Sequence, residues 1–214
     1  MKNKFMVSLL CICILLTTAG CGEGAEEAYH YYEELIAAAK ECITRNDGEE
    51  SEDYDFSSMI YMYGNQSRMG YLIEDIDDNG TDELIFGENS VDPDSSWDGA
   101  IYDIYTVSDG KLVHVLDGWE RNRYYFCENG MIANEGAGGA AYFTYTYFTF
   151  EGTELHLVEA VIYDEQKDET NPWFYMTQLQ SDAENAEPVS EKQAWAIIEK
   201  YVYEHPVFTP FVEE

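Results

Sequence analysis

The chain has 214 residues, with 43 Asp and Glu against 11 Lys and Arg, a formal net charge of −32 at pH 7. Such a surface repels phosphodiesters and anionic headgroups, so nucleic acid is excluded as an expected partner. With 18 Tyr, 10 Phe and 4 Trp, there is enough apolar side-chain area for a core, which excludes a disordered acidic tail.

The chain opens with Lys2 and Lys4, an apolar run from Phe5 to Leu16, then Thr17-Thr18-Ala19-Gly20-Cys21. A positive start, a short apolar stretch and small residues at a cleavage point predict a secretory signal over residues 1–20. The run is shorter than the ~20 residues a bilayer-spanning helix needs. Thr18-Ala19-Gly20-Cys21 resembles the lipobox of bacterial lipoproteins, with Thr18 where leucine is usual. The resemblance implies that Cys21 is lipidated and heads the mature chain. Residues 21–24 would then be a lipidated tether to the membrane, on its extracellular face. Losing residues 1–20 removes two lysines and no acid, so the mature chain is more acidic still.

Residues 25–214 are expected to form one domain. Ala25 to Arg45 reads as an amphipathic helix, with Ala28, Tyr29, Tyr32, Leu35, Ile36, Ala39, Cys42 and Ile43 on its apolar face. Asn46-Asp47-Gly48 stops it, and an acidic loop runs from Glu49 to Asp55. Cys42 and Cys127 remain once the signal has gone. An exported location permits a disulfide between them, and buried free thiols fit equally well.

The middle of the chain reads as β. Tyr71–Ile76 and Glu83–Gly87 flank an acidic loop. Ile101–Val107 and Leu112–Leu116 are joined by a turn containing Asp109-Gly110, a dipeptide that favours hairpins. Tyr124–Cys127 and Met131–Ala133 repeat the device around Asn129-Gly130. Tyr142–Phe150 and Glu154–Tyr163 repeat it around Glu151-Gly152. Glu135 to Gly139 is expected to be a turn or a close backbone approach. Ser190 and Gln193 form a capping box at the start of a second helix, with Trp195, Ile198, Tyr201 and Val202 on its apolar face. His205 to Pro210 is expected to be extended and packed on the body. The predicted class is α+β: an antiparallel β meander with an N-terminal and a C-terminal amphipathic helix.

The acidic loop carries the clearest chemistry. Asp75, Asp77 and Asn79 place oxygens at positions 1, 3 and 5, and Gly80 allows a sharp turn. Thr81 offers a carbonyl at position 7 and Glu83 a carboxylate at position 9. Hard oxygen donors at this spacing suit Ca²⁺, which takes 6–8 oxygens at about 2.3–2.6 Å. Position 12 is Phe86 and the flanks are strands, so the loop is not an EF-hand. The pattern Asp-x-Asp-x-Asn-Gly-x-x-Glu between strands resembles the calcium loop of FG-GAP and VCBS repeats. It is also similar to a segment of exported lipoproteins of Gram-positive bacteria. The resemblance implies that Asp75, Asp77, Asn79, Thr81 and Glu83 hold one structural Ca²⁺. Because the loop occurs once, a multi-blade propeller is not expected. Asp92, Asp94 and Asp98 form a second acidic stretch that either completes the first site or is a solvated turn, the reading its Pro and Ser favour.

No catalytic constellation emerges. There is no Gly-x-Ser-x-Gly elbow, and His30, His114, His156 and His205 are scattered, with His114 and His156 placed to face solvent. The aromatic run Tyr142–Phe150 offers either a doubly buried strand or a platform for sugars or peptides. The expected function is a cell-surface, Ca²⁺-stabilised binding module for a glycan or a protein. The alternative is a secreted hydrolase of cell-wall or dietary polysaccharide.

Overall fold

A computed structural model describes residues 23–63, 68–90, 97–177 and 183–212. The expected signal over 1–20, the lipidation site Cys21, and the acids Asp92 and Asp94 lie outside the described residues.

Helix α1 spans Glu23–Arg45. Its i, i+3, i+4 stripe becomes a buried face of Tyr32, Leu35, Ala39, Cys42 and Ile43. Tyr29, on the same stripe, is instead exposed, because its phenol reaches out to Asp82 at 2.7 Å. A short helix α2, Ser58–Tyr63, packs beside α1.

The strands are β1 Met69–Glu74, β2 Glu83–Glu88, β3 Ile101–Ser108, β4 Lys111–Asp117, β5 Asn122–Phe126 and β6 Ile132–Gly139. They continue as β7 Tyr142–Glu151, β8 Glu154–Asp164, β9 Trp173–Thr177, β10 Glu187–Pro188 and β11 Thr209–Pro210. All eleven belong to one sheet, in the order β10-β9-β8-β7-β6-β5-β3-β2-β1-β11, with β4 branching from β3. Among the described residues every strand pair is antiparallel. With three helices, the architecture is α+β.

Strand β2 is buried along its whole length. Leu84 and Phe86 join the cluster that contains Tyr32, Leu35 and Ile60 of the helices. Ile85, between them, joins a second cluster with Ile104, Leu116, Ile132, Phe150 and Phe208. The strand's period of two thus serves two cores. Phe208 anchors the tail. A Cβ on Gly87 would lie 2.2 Å from its ring, so only glycine admits the tail there. Beyond it, β11 pairs with β1 through Gly70↔Pro210 and Tyr71↔Thr209. Proline is tolerated because this is an edge strand.

Helix α3, Glu191–Ile198, begins with the expected capping box of Ser190 and Gln193. It ends before Tyr201 and Val202 and packs through Ala194, Ile197 and Ile198. Trp195 and Val202, expected on its apolar face, are exposed. Tyr201 lies past the helix and stacks on Tyr147, with ring centroids 3.4 Å apart.

The glycine-rich run Glu135–Gly139, expected as a turn, is the second half of β6. Its backbone pairs with residues 142–145 of β7, and ladder hydrogen bonds override weak intrinsic strand preference. Cys42 and Cys127 are both free and buried.

Candidate metal centre

Strands β1 and β2 pair antiparallel up to Glu74↔Glu83, so residues 75–82 close a hairpin. Asp78 (φ 58°) and Gly80 (φ 90°) turn the chain in the left-handed region. The carboxylates fold back onto the loop's own amides. Asp75 accepts N–H bonds from Asn79 at 3.1 Å and Gly80 at 2.8 Å. Asp77 accepts from Asn79 at 3.2 Å, and Asn79 Oδ1 accepts from the Thr81 N–H at 2.7 Å.

Two anchors come from outside the hairpin. The Gly152 N–H in the β7–β8 turn donates to Asp77 Oδ2 at 2.6 Å. Helix α1 holds the other end: Tyr32 donates to the Asp82 carbonyl at 2.7 Å, and Tyr29 to its carboxylate.

Glu83 is the unusual member. It is 0 % exposed, yet its carboxylate lies among acids. The Ile76 N–H donates to Oε2 at 3.1 Å and the Thr106 hydroxyl to Oε1 at 2.8 Å. Burial raises its pKa most. The Asp77 and Asp75 charges add to that, against the two hydrogen bonds, leaving it pushed up to about 7.

Of the five residues expected to ligate, the structure brings the three acids together. One carboxylate oxygen from each of Asp75, Asp77 and Glu83 lies within 4.8 Å of the others. Oxygens sharing one Ca²⁺ are separated by no more than about 5 Å, twice the bond length. Hard, charged donors at this separation fit Ca²⁺, and each carboxylate oxygen keeps lone-pair capacity beyond its N–H or O–H partner. Asn79 and Thr81 lie between the acids on the same loop. The supports from Thr106, Gly152, Tyr29 and Tyr32 come from distant segments and carry no sequence pattern near the loop.

Asp98, of the second acidic stretch, is not directed to this centre. It accepts from the Ser90 N–H at 2.7 Å and pairs with His205 at 3.0 Å.

A second polar cluster sits on β3 and β4. Asp103, fully buried, meets His114 Nε2 at 2.9 Å and accepts the Ser57 N–H at 3.0 Å. His114, expected to face solvent, is largely covered and stacks on Tyr105 at 4.4 Å. His156 is exposed. The Ser57 hydroxyl donates to the Gly118 carbonyl rather than to His114, so this Ser, His and Asp do not form a nucleophilic triad.

No protein-family model matches the chain, and neither a curated protein nor a solved structure matches it. Among the described residues no helix is long and apolar enough to cross a membrane.

Proposed function

We propose that this protein is a lipid-anchored binding module of the extracellular face whose β1–β2 loop holds one structural Ca²⁺. Asp75, Asp77 and Glu83 would supply carboxylates, with Asn79 and the Thr81 carbonyl completing the set, as in FG-GAP and VCBS loops. The observation that carries this is Glu83: a fully buried carboxylate within 4.8 Å of two other acids. Like charges so placed raise each other's cost, and a bound divalent cation removes it. The ion would lock the hairpin rather than react.

In this reading the fold is an antiparallel meander framed by amphipathic N-terminal and C-terminal helices. Lipid on Cys21 would tether it through residues 21–24, and its acidity steers it away from nucleic acid. A glycan or protein on the cell surface is the class of ligand this placement suggests. The alternative is a secreted hydrolase of cell-wall or dietary polysaccharide, which would act through a pair of carboxylates flanking the scissile bond.

Thermal unfolding of residues 22–214 in EDTA, millimolar Ca²⁺ and millimolar Mg²⁺ tests the calcium reading. A ligand of the native state adds RT ln(1 + [L]/Kd), about 2.7 kcal/mol at a hundredfold excess over Kd. A clear rise in Tm with Ca²⁺ and a smaller one with Mg²⁺ is expected. Equal melting in all three buffers would remove calcium from the account.

A further inference from the structure

A cavity of about 510 Å³ opens on the sheet face that carries α3, a size typical of small-molecule sites. Its floor follows from strand register. Arg123 of β5 pairs with Glu135 of β6, which pairs with Tyr145 of β7. The next position of β6 on that face is Ala137, opposite Phe143. Beside two aromatic rings a methyl group leaves a hollow. Trp97 closes the far side.

The floor is fixed. Arg123 pairs with Glu135 at 3.1 Å and lies over the Trp97 ring at 5.0 Å. Tyr203 donates to the other Glu135 oxygen at 3.2 Å. Tyr163 stacks on Phe143 at 4.4 Å and 6°, so that ring is held flat beside the hollow. At the mouth stands Arg121, exposed. Among the described residues no carboxylate lies within ion-pair distance of its guanidinium.

The charge distribution narrows the ligand. The chain carries −32 overall, and two of its four arginines line this one cavity, beside Glu120 and Glu135. An ammonium group would be attracted almost anywhere on such a surface. Arg45, Arg68 and Arg123 are each paired with a carboxylate, whereas among the described residues Arg121 has none within ion-pair distance, so it is the guanidinium left to meet an anion. A guanidinium with free donors binds a carboxylate in bidentate fashion. The flat aromatic wall suits the apolar face of a sugar ring. Glu135, on the same face as the rings, suits its hydroxyls.

We propose that this cavity binds a carboxylated sugar, a uronic acid unit of an acidic glycan, with Arg121 taking the carboxylate and Phe143 and Tyr145 the ring face. The inference gives the binding module its ligand class and does not depend on the calcium loop.

Titration of residues 22–214 in constant Ca²⁺ tests it, with D-glucuronate, a tri-galacturonate, D-glucose and N-acetylphenylalanine as probes and tryptophan fluorescence and calorimetry as readouts. The acidic sugars should bind at least about tenfold more tightly than glucose, the effect of one charge-assisted pair. Trp97→Phe should remove the fluorescence response. Arg121→Gln should lose that tenfold while keeping the wild-type Tm and Ca²⁺ response, since Arg121 is exposed. Glucose binding as well as glucuronate, N-acetylphenylalanine binding better, no binding of either acidic sugar, or full affinity in Arg121→Gln would each overturn the proposal. None of those results would touch the Ca²⁺-dependent Tm, so the two readings fail separately.

Discussion

Asp77 accepts the backbone N–H of Gly152 at 2.6 Å from 75 residues away, so a single side chain joins the acidic hairpin to the β7–β8 turn. Its roles as acceptor and as charge can be separated. Asp77→Asn keeps an oxygen for Gly152, gives up the 3.2 Å bond from the Asn79 N–H, which Asp75 still accepts, and removes the charge. It should leave stability in EDTA unchanged or slightly raised, since the Asp77 charge that repels Glu83 is gone, and weaken Ca²⁺ binding at least about tenfold. Asp77→Ala should lose both, with about 1–3 kcal/mol of stability gone. Urea unfolding in EDTA together with calcium calorimetry tells them apart. Wild-type calcium affinity in Asp77→Asn would remove Asp77 from the ligand set.

Glu83 should make the metal-free protein more stable in mild acid. Its folded pKa, about 7, lies above its ordinary value of 4.5. The folded state therefore binds the proton more tightly, and stability rises as pH falls from about 7 toward 4.5. At pH 8 the whole cost of the buried charge is present, on the order of 3 kcal/mol. Glu83→Gln should raise Tm in EDTA at pH 8, lose that advantage by pH 5, and abolish the response to Ca²⁺. A variant less stable than wild type at pH 8 in EDTA would refute this.

The Asp103–His114 pair should tilt stability in the same direction. Burial pushes Asp103 up, more than the His114 and Ser57 contacts pull it down, to about 6. Burial lowers His114, but its bond to Asp103 and the charges of Asp103, Asp117 and Asp55 outweigh that and raise it. Both folded values exceed the unfolded ones. Their contributions are therefore largest at low pH and are lost as pH rises through the folded values. With Glu83→Gln in place to remove the loop's titration, stability should decline between pH 6 and 8. His114→Gln removes the contact that pulls Asp103 down and should extend the decline to higher pH. Asp103→Ala strands the Ser57 N–H and should cost about 3 kcal/mol or more.

Glu159 has the opposite sign. Burial alone would raise its pKa, but hydrogen bonds from Tyr175, Tyr201 and Lys200 bring it below the ordinary value. Its contribution is present above the ordinary value of 4.5 and is lost as pH falls through the lowered folded value. Tyr201→Phe keeps the ring on Tyr147 and removes one 2.7 Å bond. It should cost about 1 kcal/mol at pH 7, and guanidinium unfolding should show the difference vanishing in strong acid.

Gly87→Ala tests the seat of the tail. The new methyl would meet Phe208, which is 1 % exposed, and overpacking of this kind costs about 1–3 kcal/mol. Limited proteolysis should cut the 205–212 segment faster in the variant than in the wild type.

The legible parts of this chain were those whose physics is local. Asp109-Gly110 marked the β3–β4 hairpin, Ser190 and Gln193 marked the start of α3, and the spacing from Asp75 to Glu83 marked the acids that converge. What escaped depends on distant partners. Ala137 and Gly139 have weak strand preference, and β7 makes them strand. Thr209-Pro210 is too short to announce a strand and becomes one only against β1. His114 alternates as a solvent-facing residue would, but β3 places an isolated aspartate beside it. Trp173–Thr177 lies between polar stretches and is drawn into the sheet by β8.

The acidic hairpin also has a place in time. Its flanking strand β1 gains an edge partner from β11, and Asn89, just past β2, holds the Phe208 backbone through bonds that span 119 residues. Closing so long a loop returns nothing until the strands between have condensed. It is therefore the tail that arrives late, on a hairpin whose own pairing, from Glu74↔Glu83 to Met69↔Glu88, is local. Contacts made after the barrier govern unfolding alone, so Gly87→Ala should speed unfolding and leave the folding rate almost untouched.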